Sequence, residues 1–317
     1  MVNLAGIQRA QERIDPYIRR TAIVRNQTLS ELLGTNIYLK LELFQKTGSF
    51  KPRGAFNKML QMDADERSRG IVAVSGGNFA QGVAYAGNLL DVQSIILLPD
   101  YTPSNYIEAT KSYGASIELY PDFTSLFAAA EAYTMQGRVF FHPYEDPQVV
   151  AGYGTLGLEI LGDLPELTDI VIAVGGGGLM SGVTVAVKGL KSDVRIWTVE
   201  TEGSETMAQA LQAGEVVEIT PTSLARILGA PYVAQDALTI AQAHIERHIV
   251  VSDQNAIEQQ MYLLERAKIL TELAASCTLA AVHQIRDEFS EDDHVVLFLC
   301  GGNVAIDEML TYQTLVK

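Results

Sequence analysis

The sequence predicts an α/β protein with two open, twisted, mostly parallel sheets flanked by helices. Three observations predict it. Short apolar runs bounded by turn residues alternate with helical patterns over most of the chain, which is the rhythm of βαβ units. Runs such as 71–75, 170–174 and 294–300 are apolar without alternation, as in strands buried on both faces. The block 53–147 reads as one βα unit set inside another built from both chain ends. Residues 1–52 plus 148–317 are therefore expected as a large domain, and 53–147 as a small inserted one.

Each element has its own signal. Residues 3–15 form a helical pattern that stops before Pro16, and 28–34 a short one closed by Gly34, a common residue just past a helix end. Residues 36–43 alternate and are rich in strand formers. Gly48 and Ser49 break that strand, Ser49 is placed to cap the next helix, and Pro52 suits a first helical turn. Strands at 71–75, 94–99, 116–120 and 138–141 then alternate with helices at 78–89, about 103–113 and about 123–136. A turn-rich crossing, 142–154, leads to a helix at about 155–164. The strand 170–174 opens into four glycines, followed by a helix at 179–189 and a strand at 194–200. Helices near 204–213 and 234–246 bracket the poorly patterned stretch 214–233. Residues 253–268 and 272–288 read as helices, and 294–300 is the last strong strand.

Composition narrows the function classes. The chain has 317 residues, 48% of them hydrophobic, enough for a large core and about two domains. A net charge of −15 argues against nucleic acid and acidic membrane surfaces as partners. No apolar run approaches the ~20 residues of a membrane span. The N-terminus lacks the apolar centre of a signal peptide. Cys277 and Cys300 make no disulfide framework, so a cytoplasmic protein acting on a small molecule is expected.

Four stretches carry candidate chemistry. Lys51 falls at the N-terminus of a predicted helix, where the helix dipole and desolvation both lower an amine's pKa. A neutral lysine is what attack on an aldehyde requires. Gly175, Gly176, Gly177 and Gly178, followed by Leu179, join a buried strand to a helix. With no β-carbons in the way, backbone N–H groups can converge there on an anion. No lysine follows as in a nucleotide P-loop, and the dinucleotide fingerprint fails at Met180 and Ser181, although Glu200 stands near where a ribose-binding acid would. Ser75, Gly76, Gly77, Asn78 and Phe79 form a second strand–turn–helix with donors suited to a carboxylate. Cys300 ends a third buried strand, at the edge where ligands gather in open α/β sheets. The histidines show no metal-ligand spacing, so no metal is expected.

Together these residues resemble the fold-type II pyridoxal-phosphate enzymes, whose fold is like that of the tryptophan synthase β chain. The resemblance is to the threonine/serine dehydratase (ammonia-lyase) and serine racemase group in particular. It runs from Arg19 to Asn303 and rests on the stretch 49–55 around Lys51, the glycines 175–178, the closing 300–303, and intermediate matches at 114–115 and 151–159. It implies that Lys51 holds pyridoxal 5'-phosphate as a Schiff base and moves the substrate α-proton. It further implies that Phe50 packs beside the ring, Asn78 bonds the phenolic oxygen, and Gly175 to Leu179 hold the phosphate. Cys300 stands where the family commonly places a serine facing the pyridine nitrogen. The turn from Ser75 to Phe79, together with Tyr153, is expected to bind substrate. The implied reaction is α,β-elimination of a β-hydroxy amino acid such as L-threonine or L-serine to a 2-oxo acid and ammonia, in a homodimer or homotetramer. β-Replacement, and a cofactor-binding protein with little catalysis, remain open alternatives.

Departures from the family pattern cluster at the site. Phe79 replaces a usual histidine, Tyr153 a usual glutamine, and Leu273 a usual proline. Gly76 stands where racemases carry a serine, which argues against racemization. Ser204 and Thr206 follow Glu200 where some relatives complete a divalent-metal site, and Thr206 brings no carboxylate.

Overall fold

The computed structural model describes residues 1–316. Its strands are β1 (Ile23–Arg25), β2 (Asn36–Leu41), β3 (Ile71–Val74), β4 (Ser94–Pro99), β5 (Ser116–Tyr120), β6 (Val139–Phe141), β7 (Asp169–Ala173), β8 (Arg195–Thr201), β9 (Ile245–Val251) and β10 (His294–Leu299). They form a six-stranded sheet in the order β1-β2-β10-β7-β8-β9 and a four-stranded sheet in the order β5-β4-β3-β6. All neighbours are parallel except β1 and β2, which pair antiparallel. The four-stranded sheet uses only residues between 71 and 141, while the large sheet draws β2 and β10 from opposite ends of the chain.

The buried-type runs end up where their composition sends them. β3, β4 and β7 are buried along their whole length, and β10 is buried from Val295 onward. Two strands carried no such signal. β1 is a three-residue edge strand with exposed residues, and β9 opposes β8 at the other edge with Glu246 and Arg247 in water. Residues 245 and 246 therefore leave the expected helix, which ends at His244, and begin β9. The turn-rich crossing is also shorter than its glycines suggested. Asp146 caps a helix that starts at Pro147 and runs to Asp163, carrying Gly152, Tyr153 and Gly154 inside it. Past Tyr262 the expected helix widens into a π turn, which Lys268 stops at φ 60°.

Parallel strands direct their carboxyl ends the same way, and that alignment makes the site. β10 lies between β2 and β7, so Cys300 and the glycines from 175 emerge side by side. β3 of the second sheet delivers Ser75 to Asn78 to the same cleft, the position the strand-end rule assigns to ligands.

Candidate active site

Lys51 opens the helix Lys51–Met59, with Pro52 in its first turn. The helix start is set differently from the expectation for Ser49. Ser49 is extended at φ −161° and forms an antiparallel bridge to Gly301, and the capping position falls to Phe50 with no side-chain cap. The Phe50 N–H donates to the Cys300 carbonyl at 3.2 Å, so the end of β10 holds the lysine turn directly. The Lys51 ammonium lies 4.7, 5.2 and 5.8 Å from the ring centres of Phe50, Tyr153 and Phe79. Burial lowers its pKa to about 8, opposed by Cys300 and Glu272. Desolvation is thus the leading cause of the shift.

The glycine run opens the helix Gly178–Leu190. Gly177 is its capping residue at φ 88°, a left-handed conformation that favours glycine, and no side chain caps the helix. A β-carbon on Gly176 would lie 2.2 Å from the Tyr144 ring. The absent side chains thus let Tyr144 pack onto the turn, while the first-turn N–H groups, which no helix satisfies internally, open to the cleft. The helix Asn78–Leu89 likewise starts without a side-chain cap, after Gly77. The Ser75 Oγ accepts from the Gly77 N–H at 3.2 Å and stiffens this second turn. A β-carbon on Gly76 would meet the Thr102 Oγ at 2.8 Å, and one on Gly77 the tip of Ile227 at 2.8 Å, so both residues close over the turn.

These parts enclose a cleft of about 300 Å³. It is lined by Phe50, Lys51, Ser75 to Phe79, Gly175 to Leu179 and Cys300, which places all but one of the sequence-predicted site residues in one place. The exception is Tyr153. It is fully buried behind Phe50, its hydroxyl donates to the Pro143 carbonyl at 3.1 Å, and it does not line the cleft. Its place on the inner face of the helix Pro147–Asp163 explains this, because that face is spent on packing. The Cys300 thiol is held protonated, its pKa pushed up first by burial and then by Glu272, and its Sγ lies 3.6 Å from the Ala274 carbonyl.

Sequence reasoning missed several wall residues. Glu272 is buried, and its carboxylate accepts from the Asn78 amide at 2.9 Å on each oxygen and from the Asn303 N–H at 2.8 Å. Burial raises its pKa to about 7, against the pull of those donors. His142 and Tyr144 follow β6. The His142 Nδ1 accepts the Glu145 N–H at 3.0 Å, and burial lowers the ring's pKa to about 4, so it is a neutral packing group. Ile227 and its neighbours come from the stretch 214–233, whose lack of periodicity hid it. Glu200 turns away: its oxygens accept from the Met207 and Ala208 N–H groups at 2.9 and 3.1 Å, and it pairs with His248 at 2.8 Å. Among the described residues, no cluster of three or more His, Cys, Asp or Glu side chains could hold a metal ion, and no helix is long and apolar enough to cross a membrane.

A desolvated lysine beside two uncapped helix N-termini, one at a glycine cradle, defines a site for an aldehyde cofactor that carries a phosphate. The comparisons agree. The chain matches the profile of the pyridoxal-phosphate dependent enzymes over residues 14–301 and belongs to that family. It is 38% identical over 311 residues to an L-threonine ammonia-lyase of Thermotoga maritima, covering 97% of this chain and 77% of that protein. It is 34% identical over 310 residues to a catabolic L-threonine dehydratase of Staphylococcus aureus, covering 96% and 90%. Among solved structures, a maize serine racemase superposes with a TM-score of 0.92 at 28% identity, covering 99% of this chain and 98% of that one. A T.th. threonine deaminase superposes with a TM-score of 0.86 at 32% identity, covering 96% and 99%. The fold is thus fold-type II, and the chain is a pyridoxal-phosphate-dependent lyase of the threonine/serine ammonia-lyase type.

Proposed function

We propose that this chain eliminates water from a β-hydroxy amino acid, L-threonine or L-serine, and that hydrolysis of the product regains that water, so that the net reaction gives a 2-oxo acid and ammonia. The observation that carries the proposal is the desolvated Lys51 amine between two uncapped helix N-termini in one cleft. The residues fit the cofactor: the turn at Gly175 to Leu179 suits its phosphate, and Lys51 its aldehyde. When bound, pyridoxal 5'-phosphate supplies an electron sink for the bonds at the substrate α-carbon.

The chain's own groups do the rest. The turn from Ser75 to Phe79 orients the substrate carboxylate through the first-turn N–H groups of Asn78 and Phe79, which explains how Phe79 can stand without a polar side chain. The Lys51 Nζ takes the α-proton, and its lowered pKa keeps a neutral amine within reach near neutral pH. Loss of that proton and of the β-hydroxyl releases one water, and hydrolysis of the resulting enamine gives the 2-oxo acid and ammonia. Phe50 would pack against the bound cofactor's ring, and Asn78 would donate to its phenolic oxygen. The protonated Cys300 thiol would offer the ring nitrogen of the bound cofactor a neutral partner and no full proton, and so would moderate the electron sink it supplies. With Gly76 backed by Thr102, no side chain on that residue supplies a second acid or base.

We also take 53–147 as a small domain inserted between 1–52 and 148–317, and the chain as a cytoplasmic homodimer or homotetramer. The separate sheets support the first reading. The free, buried Cys277 and Cys300, and the exposed Ile306 and Leu310 on the helix Ile306–Leu315, support the second.

The cofactor-loaded protein, given L-threonine or L-serine alone, is expected to release ammonia and 2-oxo acid in equal amounts. Turnover that appears only when a thiol or another nucleophile is added would replace elimination by β-replacement. No turnover of either amino acid in the presence of bound cofactor would make the chain a binder.

A further inference from the structure

The Asn78 amide has two chemically different ends, and only the Nδ2 end can donate to a phenolic oxygen. Three neighbours decide which end points where. The Thr47 carbonyl, a pure acceptor in a residue held at φ 62°, takes a hydrogen bond from the Asn303 Nδ2 at 2.7 Å. That contact settles the orientation of the Asn303 amide. The same Nδ2 donates to the Asn78 Oδ1 at 2.8 Å, so the oxygen of Asn78 must face Asn303. Glu272 completes the set from the other side, both its oxygens lying 2.9 Å from the Asn78 Nδ2. One N–H can serve both carboxylate oxygens, which leaves the second for the cleft. Glu272 is itself held by the Asn303 N–H at 2.8 Å, and the Tyr106 hydroxyl donates to the Asn303 carbonyl at 2.5 Å. Every contact is made between buried or half-buried residues, and Asn78 and Glu272 are almost wholly buried.

We infer that Asn303 and Glu272 are positioning residues that lock the Asn78 amide with its N–H end toward the cofactor. Thr47, Glu272 and Asn303 flank the large sheet, whereas Asn78 and Tyr106 begin helices of the small one, so the lock also spans the two units. The inference rests on the reading of Asn78 as the donor to the phenolic oxygen, and the experiment separates the two.

The test compares the loaded parent with Asn303→Asp, Asn303→Ala and Asn78→Asp, without substrate. The readouts are the ratio of the visible to the near-ultraviolet cofactor band and the retention of pyridoxal phosphate on dilution. Asn303→Asp puts an acceptor against the Asn78 oxygen and favours the flipped amide. It is expected to move intensity from the visible to the near-ultraviolet band and to weaken retention about tenfold, as loss of one hydrogen bond to a buried charged group does. Asn303→Ala removes the lock without adding charge and should move the ratio the same way, less far. It decides the matter if Asn303→Asp fails to fold. Asn78→Asp should reproduce the Asn303→Asp spectrum. A shift in Asn78→Asp with parental spectra for both Asn303 variants overturns the lock and leaves the Asn78 role standing. A parental spectrum for Asn78→Asp overturns that role and the inference with it.

Discussion

Lys51→Ala is expected to lose turnover of L-threonine by about 10³-fold or more while keeping the fold. The loss combines a missing attachment point for the aldehyde with a missing base at the α-carbon, and positioned proton transfer alone is worth about 10²–10⁴-fold. The fold survives because burying the charged amine costs more than its contacts return. Its folded-state pKa of about 8 lies below the ordinary lysine value. From about pH 8 up to that ordinary value the unfolded chain binds more protons, so the cofactor-free parent gains stability as pH rises. Below about pH 8 the charged amine is a standing penalty. Lys51→Ala without cofactor should therefore melt no lower than the cofactor-free parent at pH 7, and its stability should be flatter above pH 8. Retained turnover would remove Lys51 from the chemistry. A large drop in melting temperature would make it structural.

Arg53→Ala is expected to destabilise the protein by about 3–5 kcal/mol, enough to threaten folding altogether. Two residues past Lys51, the buried Arg53 guanidinium bonds the Glu42 carboxylate twice at 2.9 Å and that of Glu159 at 2.7 and 3.0 Å. Lys40 joins Glu159 at 2.7 Å, and the Thr21 hydroxyl donates to Glu42. Burial works against the guanidinium's charge, yet the two carboxylates hold its pKa above the ordinary arginine value. Removing Arg53 leaves Glu42 facing no cation and Glu159 with Lys40 alone, inside a water-poor core. The network ties the helix that carries Lys51 to β2 and to the helix Pro147–Asp163, so the same change should loosen the lysine turn. Chemical denaturation at neutral pH measures the effect, and a cost under about 1 kcal/mol would show the carboxylates finding water or other partners.

The parts of this site legible in the sequence are those set by local chemistry. A proline after Lys51, four glycines after a buried strand, and a second glycine turn before Asn78 each specify backbone geometry by themselves. The apolar runs of β3, β4, β7 and β10 are likewise self-announcing, since strands buried on both faces must be apolar. Edge strands are not: β9 carries Glu246 and Arg247 toward water and continues directly from a helix, so its pattern reads as that helix's end. The start of the helix at Pro147 was signalled by an aspartate and a proline, a cap and a first-turn residue, which the later glycines outweighed. Tyr153 sits behind Phe50 and not on the cleft wall, a placement that could not be read beforehand because resemblance gives position along the chain but not the direction of a side chain. The charged pairs are the least legible. Glu272 meets Asn78, and Arg53 meets Glu159, only after the sheets close, and nothing near those residues in sequence names the partner.

The central claim is that this cleft binds pyridoxal phosphate through Lys51 and no other amine. Lys40, Lys46 and Lys58 lie close in sequence, but their amines are occupied by Glu159, the Tyr17 carbonyl and Asp146. The most direct measurement loads the protein with pyridoxal phosphate, reduces it with borohydride and maps the cofactor mass by peptide sequencing. One equivalent on Lys51 is the predicted result. Label on another lysine, or spread over several with Lys51 unmodified, would contradict the account at its root.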